Sequence, residues 1–188
     1  AKGCLDLLNA FVQMHKEGFN VRLVIVGDDS DRFKKADLKT KMLKKFGLYQ
    51  NVASEMQRMI AQNEIEDRVL FTGLKKNIEP YYDQFDVIAF PSYYDAPGRP
   101  IFEGALFGVP SIVSISEPTD DTFIDGVTGI NVRPSHPEDI VSAVDRMIND
   151  TSMLEAMGKA ASALARENFK IESNLRKLIS CYSRLLGR

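Results

Sequence analysis

Apolar residues fall along this chain in two alternating rhythms. Short runs of β-branched and aromatic residues, bounded by Gly, Pro or Asp, predict strands over 21–26, 69–72, 86–90, 110–114 and 129–132. Between them, apolar positions recur at helical spacing. Leu5, Leu8, Phe11, Val12 and His15 share one face of a helix expected over 4–17. Ile140, Val141, Val144, Met147 and Ile148 do the same over 137–148, where Ser135 and Glu138 predict a capping box. Leu175, Leu178, Ile179, Tyr182, Leu185 and Leu186 form a stripe over 171–186, fitted either to the domain's own sheet or to a partner domain. Strands alternating with helices in this way indicate a parallel sheet with crossover helices, so the expected fold class is α/β. Strands of such a sheet are apolar throughout because both faces are covered.

At 188 residues the chain suits a single domain with a substantial core. A hydrophobic fraction of 44% excludes a disordered chain, and no apolar run approaches the length of a transmembrane helix. The net charge of -2 supplies no general drive toward nucleic acid. Cys4 and Cys181 read as buried small hydrophobes in a reducing, cytoplasmic setting rather than as a disulfide. His15 and His136 are structural residues on this reading, and no metal is expected. Seven basic residues lie between Arg32 and Lys45. Leu38, Met42 and Leu43 interrupt them at core-like spacing, which favours a solvated helix face; peripheral contact with an anionic membrane or an acidic acceptor is the alternative.

The chemistry concentrates between Asp95 and Ser114. Asp95 and Glu103 stand eight positions apart, with a Pro/Gly/Arg-rich turn between them and a short helix and apolar strand behind. A turn that opens a helix presents backbone N–H groups that attract anions. Carboxylates on either side of such a turn can hold hydroxyl groups, and hydroxyls beside a phosphate describe a nucleotide-sugar. Glu103 is expected in the first turn of the helix.

The segment resembles the donor-binding motif of retaining GT-B glycosyltransferases, in particular glycosyltransferase family 4, with the pattern E-P-F-G-L-x-P-x-E-A-x-x-x-G-x-P-V. Asp95 and Glu103 take the two Glu positions, and Gly98, Gly108 and Pro110 fall on theirs. Further matches run in order: Lys2 to Phe11 resembles K-G-x-x-x-L-L-x-A-F, Val21 to Gly27 the strand L-x-I-V-G, and Arg68 to Gly73 the segment R-V-x-F-x-G. Asp86 to Ser92 resembles D-V-x-x-x-P-S, and Asp125 to Gly129 matches D-G-x-T-G.

The resemblance implies a Rossmann-like parallel sheet flanked by helices on both faces, forming the C-terminal half of a GT-B fold. It implies transfer of a sugar, with retention, from a nucleotide-sugar donor to an acceptor hydroxyl on a glycan or lipid-linked acceptor, without a metal cofactor. The family Glu at position 103 grips the ribose, and the acid at Asp95 contacts the donor sugar. Lys2 neutralises the departing diphosphate. Gly98, Arg99, Pro100, Ile101 and Phe102 border that diphosphate. Gly27 and Gly73 end strands at the ligand-bearing edge of the sheet, with Leu74 and Lys75 beside the base. A missing N-terminal acceptor domain is the implied partner, together with a first strand expected to precede Lys2-Gly3.

Departures from the pattern keep other readings open. Asp95 is one methylene shorter than Glu. Pro100 deletes a backbone N–H, for which the Arg99 guanidinium is a candidate replacement. Glu117-Pro118-Thr119-Asp120-Asp121 stands where the family has Gly-Gly-x-x-Glu. The alternatives are a catalytically weakened nucleotide-sugar-binding module, a nucleotide-sugar epimerase and a protein-interaction domain.

Overall fold

The computed structural model describes residues 3–27, 52–94 and 98–187. Lys2, Asp95 and the basic stretch 32–45 lie outside the described residues. All five expected strands form, as β1 (Leu23–Val26), β2 (Val69–Gly73), β3 (Ile88–Phe90), β4 (Ser111–Val113) and β5 (Gly129–Asn131). The periodic helices form as α1 (Cys4–Lys16), α5 (Pro137–Asn149) and α7 (Ile171–Leu185). Between these elements stand α2 (Val52–Gln62), α3 (Glu79–Tyr82), α4 (Arg99–Leu106) and α6 (Thr151–Asn168). No helix among the described residues is long and apolar enough to cross a membrane.

The chain divides into two compact units, one of Leu8–Ile78 and one of Ala1–Leu7 with Glu79–Arg188. Each has its own parallel ladder. In the smaller unit β1 pairs with β2, Leu23 opposite Val69, until the register shifts to set Val26 opposite Gly73. Ile65, Met56 and Ile60 are buried in this unit. Leu70 and Phe71, by contrast, are exposed, at 57% and 40%. Successive strand residues point to opposite faces, so the expectation of a strand covered on both faces fails for β2. Among the described residues this ladder has only two strands, too narrow to be enclosed.

The larger unit meets the expectation. Its ladder runs β3-β4-β5, all parallel, and central β4 is buried at every residue. Ile101 of α4 packs with Val113, Ile115 and Phe123, and Phe90 lies against this cluster. A second cluster of Ala105, Ala161 and Ala165 joins α4 to α6, with Phe169 against it. The small residues let these two helices approach closely. A Cβ built on Gly158 would lie 2.2 Å from the carbonyl oxygen of Gly108.

Three local expectations are corrected. The capping box at Ser135 and Glu138 does not form, because Pro137 opens α5 and makes His136 the cap. Ser135 then stands one position too early to reach the helix. Arg133 instead ties the entry, its N–H donating to Asp139 Oδ2 at 3.2 Å and its Nε to the same oxygen at 2.7 Å. The stripe on α7 does not lie on the sheet among the described residues: Leu175, Leu178, Ile179, Tyr182 and Leu185 are all exposed. For the same reason Cys181 is exposed rather than buried, whereas Cys4 is half-buried; both are free thiols.

Candidate functional site

In the larger unit the candidate residues gather at the C-terminal end of β3. After Phe90 the chain passes through Pro91 and buried Ser92, whose hydroxyl accepts the Tyr94 N–H at 3.1 Å. Gly98 then caps α4 at φ 71 and ψ 147, a conformation that glycine alone adopts cheaply. Close approach requires glycine as well, since a Cβ there would lie 2.6 Å from Phe90 Cε1. Pro100 occupies the first turn, where its fixed φ suits a helix start and its missing N–H leaves no intrahelical bond unmade. With α4 opening at Arg99, Glu103 begins the second turn rather than lying in the first.

Glu103 is held at both oxygens. Tyr82 Oη donates to Oε2 at 2.9 Å, and Arg99 Nε donates to Oε1 at 3.1 Å, joined there by Nη2. Arg99 and Glu103 are one turn apart and share a helix face. The Arg99 side chain is 87% exposed, and its guanidinium pairs with Glu103 at the surface. Tyr82 is buried, with its ring packed near Phe107 and Phe85. Burial first, and then the bond to Glu103, push the Tyr82 phenol above its ordinary range, so it remains a donor.

The side chains of Ile101 and Phe102 are taken up in packing. Ile101 is in the core, and the Phe102 ring lies 4.5 Å from that of Phe169. Any part these two residues take in binding therefore falls to their backbone. The start of α1 also reaches the end of β3. Gly3 lies so close that a Cβ on it would be 1.8 Å from the Pro91 carbonyl oxygen. Tyr93 hydrogen-bonds to Asp6, which raises its phenol pKa.

The remaining candidates gather in the smaller unit. Gly27 and Gly73 end β1 and β2 side by side, the Gly27 N–H donating to the Gly73 carbonyl at 3.1 Å. Leu74 and Lys75 follow on the exposed surface. Each strand thus ends where its glycine was expected to end it. Sequence reasoning missed Tyr82, Tyr93 and Asp6; each makes its contact across a long stretch of chain, and none carries a local pattern that marks it.

Parallel strands flanked by helices, with a glycine turn at a strand's C-terminal end leading into the helix that carries a held carboxylate, are those of an α/β domain with its candidate site at the C-terminal edge of the sheet. The family model for glycosyl transferases group 1 matches residues 1–164, and the chain belongs to that family. It is 25% identical over 135 residues to the lipopolysaccharide core biosynthesis mannosyltransferase LpsB of Rhizobium meliloti, a match covering 71% of this chain and 38% of LpsB. It is 24% identical over 186 residues to the capsular polysaccharide biosynthesis glycosyltransferase CapM of Staphylococcus aureus, covering 98% of this chain and 43% of CapM. Its fold is similar to that of Anabaena Alr3699/HepE, solved in complex with UDP, with a TM-score of 0.76 at 23% identity, covering 97% of this chain and 45% of that one. The chain thus spans less than half the length of these relatives.

Proposed function

We propose that this chain is the nucleotide-sugar-binding, C-terminal half of a retaining GT-B glycosyltransferase of family 4. It works in the cytoplasm without a metal, transferring a hexosyl group from a nucleotide diphosphate sugar to an acceptor hydroxyl. The observation that carries this reading is the Glu103 carboxylate, held by Tyr82 and Arg99 one turn behind the Gly98 bend. A fixed carboxylate suits a pair of ribose hydroxyls, and the backbone N–H groups that open a helix at the bend suit a diphosphate. The similar protein HepE was solved with UDP, which supports a nucleotide ligand. LpsB and CapM are named for lipopolysaccharide core and capsular polysaccharide biosynthesis, which supports a glycan or lipid-linked acceptor and, with the basic stretch 32–45, peripheral membrane contact.

On this reading Glu103 binds the ribose. The Gly98 turn, the backbone of Arg99–Phe102 and the Arg99 guanidinium take the diphosphate. Asp95 orients the sugar, Lys2 neutralises the departing diphosphate, and Gly27, Gly73, Leu74 and Lys75 border the base. Transfer proceeds by return-side attack: the bond from sugar to diphosphate breaks, the acceptor oxygen bonds the sugar carbon from the same face, and the acceptor's hydroxyl proton passes to the departing diphosphate oxygen. These groups accelerate it by stabilising charge that develops on the leaving oxygen.

A thermal-shift panel of UDP-, GDP- and ADP-sugars tests the reading. A ligand at a hundred times its Kd stabilises the folded state by about 2.7 kcal/mol. One member is expected to raise the melting temperature of the native sequence and to lose that effect in Glu103→Ala. A panel that leaves the native sequence unshifted overturns the reading.

A further inference from the structure

The two donors on Glu103 differ in kind. Arg99 is an exposed partner on the same helix, and such pairs form and break readily. Tyr82 comes from α3, is 4% exposed, and reaches across to α4 from 21 residues away. Its ring is packed near Phe85 and Phe107, with centroids at 6.3 and 5.6 Å. Gly104, the residue after Glu103, borders the same ring: a Cβ on it would lie in ordinary contact, 3.5 Å from Tyr82 Cδ1. The phenol is therefore fixed by packing, and it fixes Oε2 in turn. Among the described residues Oε1 carries only the exposed Arg99 guanidinium.

We propose that Tyr82 is a positioning residue for donor binding: by anchoring Oε2 it holds the Glu103 carboxylate in one rotamer with Oε1 turned toward the ribose hydroxyls. This rests on the reading of Glu103 as the ribose ligand. Arg99 bonds Oε1, and on this proposal the ribose hydroxyls take its place there. The displaced guanidinium is then free to meet the diphosphate. A carboxylate anchored in advance loses less rotamer freedom when the ligand arrives, and that saving appears as affinity.

Tyr82→Phe removes the hydroxyl and keeps the packed ring. Calorimetry on the intact protein would compare UDP, GDP and ADP with their 2′,3′-dideoxy counterparts, taking the tightest ribonucleotide. The native sequence is expected to prefer the ribo form by about tenfold or more, the scale of one hydrogen bond to a charged group. Tyr82→Phe should reduce that preference at least threefold while leaving the dideoxy affinity unchanged. In a Glu103→Gln background it should change the preference no further. A merely structural role for Tyr82 would weaken both forms together and leave their ratio intact. If the ratio collapses in Glu103→Gln but survives in Tyr82→Phe, the positioning role is overturned and the reading of Glu103 stands. If Glu103→Gln leaves the ratio unchanged, or no nucleotide binds, the donor-site reading itself falls.

Discussion

Gly98 lies against the ring of Phe90, so close that a Cβ on residue 98 would sit 2.6 Å from Phe90 Cε1. The end of β3 and the start of α4 are thereby locked together at the turn that serves the site. Gly98→Ala meets both this clash and a backbone conformation reserved for glycine, a strain of about 1–3 kcal/mol. Its melting temperature should fall by several degrees, and Phe90→Leu in the same background should recover only the steric part. Paired thermal melts check both.

Removing the Glu103 side chain strands the buried Tyr82 hydroxyl. Glu103→Ala is expected to cost about 1–3 kcal/mol of stability for that orphaned donor. Glu103→Gln retains an acceptor and should cost less. Urea denaturation of the two variants separates the structural contribution of the carboxylate from its contribution to binding.

Arg99→Ala removes an exposed i,i+4 pair, which contributes about 0.5 kcal/mol or less. Stability should therefore barely move. Affinity for a nucleoside diphosphate should fall several-fold, because the guanidinium is the charged fork nearest the turn. Unchanged affinity by calorimetry would remove Arg99 from the diphosphate site.

Two glycines of the larger unit face different obstacles. A Cβ on Gly158 meets the backbone oxygen of Gly108 at 2.2 Å, whereas one on Gly104 meets Ile88 Cδ1 at 1.9 Å. Backbone cannot rotate away, but the end of an isoleucine can. Overpacking costs about 1–3 kcal/mol, and Gly158→Ala should fall at the upper end with Gly104→Ala below it. Adding Ile88→Val, which deletes Cδ1, should rescue Gly104→Ala and leave Gly158→Ala unchanged; denaturant midpoints report the difference.

The Asp139 carboxyl is held down at about 2 from its ordinary 3.8, chiefly by the side-chain hydrogen bond from Arg133. A depressed folded-state pKa stabilises the protein above the unfolded value, and that stabilisation is lost as pH falls from about 4 toward 2. Asp139→Asn should be less stable than the native sequence at neutral pH and match it near pH 2. Melting temperatures across pH 2 to 7 would show the two curves converging on the acid side.

The strands and the periodic helices were legible because their signals are local. A β-branched run between turn residues, or an apolar face repeating every three to four positions, carries its own burial pattern whatever surrounds it. The Gly98 turn into α4 was legible for the same reason, since a turn entering a helix is specified by neighbours in sequence. Sequence alone thus determined the five strands, the three periodic helices and the family they signal, but left α2, α3 and α6 unread. Tertiary structure alone decided that Pro137 displaces the Ser135 cap, that Leu70 and Phe71 stay uncovered in a two-stranded ladder, and that the α7 stripe stands exposed. It also decided that a phenol 21 residues upstream holds Glu103. Each of these depends on which surfaces meet in space, and such meetings are set by packing between distant segments, which no periodicity along the chain encodes.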